Sequence, residues 1–183
     1  MDAARGVWGV DQVAGARRLA AEYATTRVLA ESGRLADATP RVLEAICTSL
    51  GWEHGALWQV DRHASHLRCV ETWHRPETPF AEFEALSRST TFERGVGLPG
   101  RVWASGQPAF IPDVVQDSNF PRASVAAQEG LHAALGFPIW IQGDIVGVME
   151  FFSREIREPD AELLDVLGAI GSQIGQFMER RRA

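Results

Sequence analysis

The chain has 183 residues, 45% of them hydrophobic and 23% charged, a globular composition long enough to bury about 70% of its unfolded surface in one core. A net charge of −6 and a pI near 5.4 leave no electrostatic footprint for nucleic acid. All 18 basic residues are arginine, and the missing lysine excludes Schiff-base catalysis, P-loop nucleotide chemistry and the protein-kinase strand lysine.

From Asp11 to about Ser32 the sequence is rich in Ala, Arg and Glu and free of Pro, which predicts a helix. Leu19, Tyr23, Thr26 and Ala30 share its apolar face, and Gly33 ends it. Thr39 as N-cap and Pro40 at the first helical position open a second helix. Val42, Leu43, Ile46 and Leu50 form its apolar face, and Gly51 stops it. Ala56–Val60 and Leu67–His74 alternate with period two around polar Asp61–Ser65, a β-hairpin. Ala81–Arg88 and Arg101–Ser105 are predicted as short helices, with a flexible Gly95–Gly100 loop between them. Pro108–Ile111 is an edge strand, because proline is confined to strand ends and edges. A loop, Asp113–Pro121, leads into an Ala-rich helix, Arg122–Glu129.

His132–Ile141 and Asp144–Ser153 form a second hairpin about a tight Gln142-Gly143 turn. Its second arm, Ile145–Phe152, is apolar on both faces except at Glu150, the pattern of a central strand covered on both sides. Pro159 opens the last helix, with Asp160 and Glu162 in its first turn and Arg180–Arg182 at its end, as the helix dipole favours. In that helix Leu163, Leu167, Ile170, Ile174 and Phe177 follow a heptad seam, and Gly168, Gly171 and Gly175 repeat one position later. Each glycine costs ~0.5–1 kcal/mol in a helix, so three predict a close approach to something. The expectation is packing within the chain early in the helix. Later, Leu167, Ile170, Ile174 and Phe177 form the interface of a parallel homodimer.

The element order describes an α+β fold: an antiparallel sheet, terminal helices on one face, and short helices and loops on the other. Cys47 and Cys69 form no CxxC pair and are expected as free thiols of a cytoplasmic protein. The first ten residues lack the apolar run of a signal peptide, and no stretch nears the ~18 apolar residues of a membrane span, so no direct membrane insertion is expected.

Several stretches together resemble the GAF domain, in particular the GAF modules of bacterial multidomain sensors such as hybrid histidine kinases. They are Leu98-Pro-Gly-Arg-Val-Trp-Ala-Ser-Gly-Gln-Pro108, Ile111-Pro-Asp113, Asn119-Phe-Pro-Arg122, Gly130-Leu-His-Ala133, Phe137-Pro-Ile139, Val146-Gly-Val-Met-Glu-Phe-Phe-Ser153 and Ile170-Gly-Ser-Gln-Ile-Gly-Gln-Phe177. The resemblance implies a six-stranded antiparallel sheet and a small-ligand pocket between the sheet and the middle helices. It also implies terminal helices that pair with a second subunit and carry a signal to an output domain. Residues 1–33 are then a signalling helix, 34–157 the core and 158–183 the exit helix. The chain has no room for phosphoacceptor helices plus an ATP-binding domain, so the output is expected in a longer parent chain.

Pocket candidates are the aromatics Trp58, Trp73, Phe92, Trp103, Phe120 and Phe152, with Leu98, Asp113, His132 and Glu150. Trp58 and Phe152 rest additionally on the resemblance. Glu150 pairs with an arginine, is protonated or faces a polar cavity, because a bare ionised carboxylate in an apolar strand costs several kcal/mol. Glu150 and an aromatic wall suit an unknown small ligand with donors or positive charge, not a bare phosphate.

The cofactor is left open. Bilin attachment needs a cysteine near Pro121–Gly130, and none is there. Haem has His132 as its best axial candidate. His63-x-x-His66 reads as a solvated turn before it reads as a zinc site, and two cysteines on separate elements do not suit methionine sulfoxide reduction. The expected function is therefore a non-catalytic small-ligand sensor. A ligand-free dimerisation and relay module and a haem-based gas or redox sensor are the alternatives. Gly95–Gly100 and Asp113–Pro121 are expected as mobile segments over the pocket.

Overall fold

A computed structural model describes the backbone of residues 3–182 and the side chains of 12–181. Two long helices come first, α1 (Ala3–Glu31) and α2 (Leu35–Leu50), followed by the hairpin β1 (His54–Asp61) and β2 (His66–His74). Then come α3 (Ala81–Ser89), β3 (Thr91–Phe92), α4 (Gly97–Ser105), β4 (Ala109–Ile111) and a 3-10 turn at Val114–Gln116. α5 (Ala123–Glu129), the hairpin β5 (Ala134–Ile141) and β6 (Asp144–Phe152), and α6 (Ala161–Arg182) complete it. The sheet is antiparallel, with strand order β3-β2-β1-β6-β5-β4.

The apolar run of β6 lies between β1 and β5, as its two-faced pattern predicts, and β4 is an edge. Gln142 and Gly143 both take positive φ, 50° and 82°, which matches the right-handed twist of the hairpin they close. One residue of β2 is out of step: Leu57 faces Glu71 while Trp58 faces Cys69, so Val70 is bulged. Beyond the bulge the faces exchange. Leu67 and Cys69 point to the side of α3, whereas Trp73 packs with the long helices.

α1, α2 and α6 cover one face of the sheet, over Leu135, Phe137, Ile139, Met149 and Phe151. α3, α4 and α5 cover the other, over Ala56, Trp58, Leu67, Cys69, Val148 and Phe152. Three sequence expectations change here. α2 begins at Leu35, so Thr39 and Pro40 lie inside it, and the Thr39 hydroxyl donates to the Leu35 carbonyl (2.9 Å) instead of capping. On α1, Leu19 and Tyr23 are 69% and 72% exposed; its inward side is the smaller set Ala21, Thr25, Val28 and Leu29.

The third correction concerns the predicted dimer seam. Leu167, Ile170, Ile174 and Phe177 are all buried in the chain's own core, so their apolar stripe is spent on the sheet. The glycine stripe explains why α6 sits so low. A Cβ at Gly171 would collide with the Pro138 carbonyl oxygen, and one at Gly175 with that of Trp140. Glycine there lets the helix axis approach β5, and the compensation predicted for the stripe is made within the chain.

Candidate functional site

The site grows from Glu150 on β6, which shares its face with Val148 and Phe152. Its partners across the sheet are Ala56 on β1 and Gly136 on β5, two residues too small to fill the space above a carboxylate. Arg122 fills it, reaching in from the residue that precedes α5. Its guanidinium makes a two-pronged contact, Nη2 to Oε2 at 2.6 Å and Nη1 to Oε1 at 3.0 Å. Nη1 also donates to the Ser87 hydroxyl of α3, and Trp58 Nε1 donates to Glu150 Oε1, both at 3.0 Å. The side chains of the pair are 1% and 0% exposed. Five rings surround the guanidinium carbon at 4.9–5.6 Å: Trp58, Phe83, Phe92, Phe120 and Phe152. Aromatic faces and a carboxylate around a planar cation make a guanidinium-recognising cage.

The polar accounts beside the cage do not close. His54, fully buried at the start of β1, lies edge-on to Phe80, Phe83 and Phe152, and neither ring nitrogen has a partner. Burial pushes its pKa down to about 3, with the Arg122 charge adding to the effect, so the ring is neutral. Thr78 Oγ1, Glu129 Oε2 and Arg122 Nε are also buried and unpaired. These belong to or border α3 and α5; among the described residues one further such atom, Arg101 Nε, lies on α4. Phe80, which precedes α3, is held at φ 47°, a left-handed conformation uncommon for a bulky residue. α3 is thus the element under which unpaired polar groups and backbone strain coincide.

The sequence-predicted residues divide. Trp58, Phe92, Phe120, Glu150 and Phe152 meet around Arg122. Leu98 and Trp103 join the same core from α4, but Trp103 stacks under Arg94 (4.4 Å) and lines a separate open cleft of about 770 Å³ with Trp140 and Asp144. Trp73 is on the opposite face of the sheet because of the bulge at Val70. Asp113 and His132 pair with each other, Oδ1 to Nδ1 at 3.0 Å, with the His132 side chain 34% exposed. Asp113 also caps the 3-10 turn through the Val115 amide, so this couple fixes a chain crossing.

Sequence reasoning missed Arg122, Ser87, Phe83 and His54. Arg122 stood in a quoted motif, and the need of Glu150 for a basic partner was the signal that could have found it.

Two further expectations meet the structure here. Gly97–Gly100 is the first turn of α4, not a loop, and it is tied down: Asn119 accepts from the Gly97 amide and donates to the Gly95 carbonyl. Arg101 bridges Asp117 and the Asn119 carbonyl, fastening part of the 113–121 segment as well. Cys47 lies in the core under the long helices and Cys69 in the core under α3, on opposite sides of the sheet. Burial raises both thiols, Cys69 up to about 12. Among the described residues no three His, Cys, Asp or Glu side chains converge as a metal site, and no helix is long and apolar enough to cross a membrane.

The family model described as GAF domain matches residues 33–179. Comparison with the curated proteins returned no match. Among solved structures, the GAF domain of a Coxiella burnetii phosphoenolpyruvate-protein phosphotransferase is 17% identical with a TM-score of 0.75, covering 91% of this chain and 95% of that one. The free methionine-R-sulfoxide reductase of Neisseria meningitidis, in complex with its substrate, is 17% identical with a TM-score of 0.74 over 92% of each. A domain of a sensor histidine kinase protein from Sinorhizobium meliloti, itself described as a two-component protein, is 18% identical with a TM-score of 0.62, covering 83% and 95%. At these identities the likeness speaks to the fold.

Proposed function

Because this chain belongs to the GAF domain family, a sensory and regulatory fold of signalling proteins, we propose that it is a non-catalytic module for a small ligand. The ligand sits between the sheet and α3–α5, and its occupancy passes through α1 and α6 to an output domain such as a histidine kinase. The supporting observation is the set of unpaired buried groups under α3 and α5, above all both nitrogens of His54. Native cores rarely leave such groups unpaired, because each costs about 1–3 kcal/mol. A small molecule with donors and acceptors, lying against Phe80, Phe83 and Phe152, satisfies them. Reductase chemistry is disfavoured by thiols that burial keeps protonated and the sheet keeps apart.

One observation favours the second reading, a relay module filled by its own side chains: Arg122 already occupies the centre of the ring cage. Native mass spectrometry of protein from its own host separates the two. A ligand sensor retains a small-molecule adduct that His54→Phe loses; a bare chain in both samples supports the relay module. Homodimerisation is proposed in either case, through the exposed Leu19 and Tyr23 side of α1 instead of the buried α6 seam. Light scattering of Leu19→Glu/Tyr23→Glu should then give a folded 20 kDa species where the wild type gives twice that mass. A wild type that is monomeric at high concentration removes the dimer.

A further inference from the structure

We propose that Arg122 is a resident stand-in, and that the ligand of this module carries a guanidinium group that displaces Arg122 from Glu150 and the ring cage. The inference rests on the small-ligand reading and names its chemical class. Glu150 is wholly buried, its sheet neighbours are Ala56 and Gly136, and besides Arg122 its one hydrogen-bond partner is Trp58 Nε1. If Arg122 leaves, an ionised Glu150 is stranded in an aromatic void, so a replacement that keeps it ionised must bring positive charge. The two-pronged contact to Glu150 and the lateral bond to Ser87 select a planar fork over a compact ammonium.

The attachment of Arg122 is where it can give way. Its Nε is buried without a partner, and it is carried by a connection into a helix of only seven residues. Ser87 places the readout on α3, because an incoming guanidinium takes over the bond that now ties α3 to α5. Occupancy then frees Arg122 together with the segment before α5.

The test uses the whole chain with methylguanidinium as probe and N-methylurea, its neutral analogue, as control. Arg122→Ala leaves the cage empty. Methylguanidinium at ten times its Kd should raise the melting temperature of that variant by about 2–4 °C. N-methylurea should not, and Arg122→Ala/Glu150→Gln should lose the effect. If Arg122→Ala does not fold, Arg122→Lys serves in its place, since it keeps a charge near Glu150 without the fork. In the wild type, a methylguanidinium titration should speed amide exchange in 112–130, the mark of Arg122 released. Equal stabilisation by the urea, or survival of the effect without Glu150, overturns the cage as a cation site. Rescue of the variant with no wild-type response overturns displacement. A neutral adduct in host-purified protein, together with absence of rescue, defeats the guanidinium assignment while the sensor reading stands.

Discussion

Against α1, α2 and α6 the sheet presents Leu57, Leu135, Phe137, Ile139, Met149 and Phe151; against α3, α4 and α5 it presents His54, Trp58, Cys69, Glu150 and Phe152. The buried hydroxyls on the long-helix side, Thr25, Ser32 and Thr39, each donate to the carbonyl four residues back. Among the described residues, none of the unpaired buried polar atoms belongs to those helices. The short-helix side holds an ion pair, a neutral histidine and a strained Phe80. A hydrophobic replacement of a buried ion pair is often neutral or stabilising, so the polar face gives up stability that the other face keeps. That contrast is what a scaffold on one side and a recognition site on the other require.

The largest effect expected is on the scaffold side. Ile174→Glu places a charge in a core with no partner for it and should cost more than about 4 kcal/mol. Urea melts should show unfolding; a folded monomer instead would restore the seam to an interface between subunits. Next come Arg122→Ala and Glu150→Ala, each expected to cost about 3–5 kcal/mol because each strands a buried charge. The double change Arg122→Met/Glu150→Leu should return stability to near wild type, and equal losses in all three would mean the pair is needed for folding itself.

Smaller again is the loss from Gly171→Ala or Gly175→Ala, about 1–3 kcal/mol, since α6 must lift from the carbonyls of β5. Smallest near neutral pH, and growing only on acidification, is an effect confined to the recognition side. An unfolded histidine protonates near pH 6.5, while His54 resists to about 3. Between those values the unfolded chain takes up a proton that the folded chain refuses, so His54 lowers stability as pH falls, by up to about 1.4 kcal/mol per unit. Above pH 6.5 its contribution is flat. His54→Phe should remove this slope in pH-dependent denaturant titrations.

The antiparallel sheet and the central β6 could be anticipated because β6 is apolar on both faces except at Glu150, whereas the heptad spacing of α6 marked a buried stripe without saying that the chain's own sheet would bury it. Glu150 and Phe152 were legible as one face of β6 from strand parity, Trp58 joined them only through the family resemblance, and His132, grouped with them on the same ground, pairs with Asp113 instead. Trp73 was not, because the bulge at Val70 reverses the alternation that placed it. Leu19 and Tyr23 misled for a different reason: their spacing marks a helical face, but spacing does not say which face the sheet takes. Arg122 comes from a segment without periodicity, and its burial depends on two small residues, Ala56 and Gly136, on strands that only the fold makes neighbours.

Hydrogen exchange of the whole chain tests the division of labour between the two faces most directly. Amides of α3, α5 and 112–122 should exchange by local opening, at free energies well below global unfolding, while those of β5, β6 and α6 exchange only when the whole domain unfolds. Exchange of α3 and α5 as slow as that of β6, or earlier opening of α6, would contradict a recognition face that opens against a scaffold that does not.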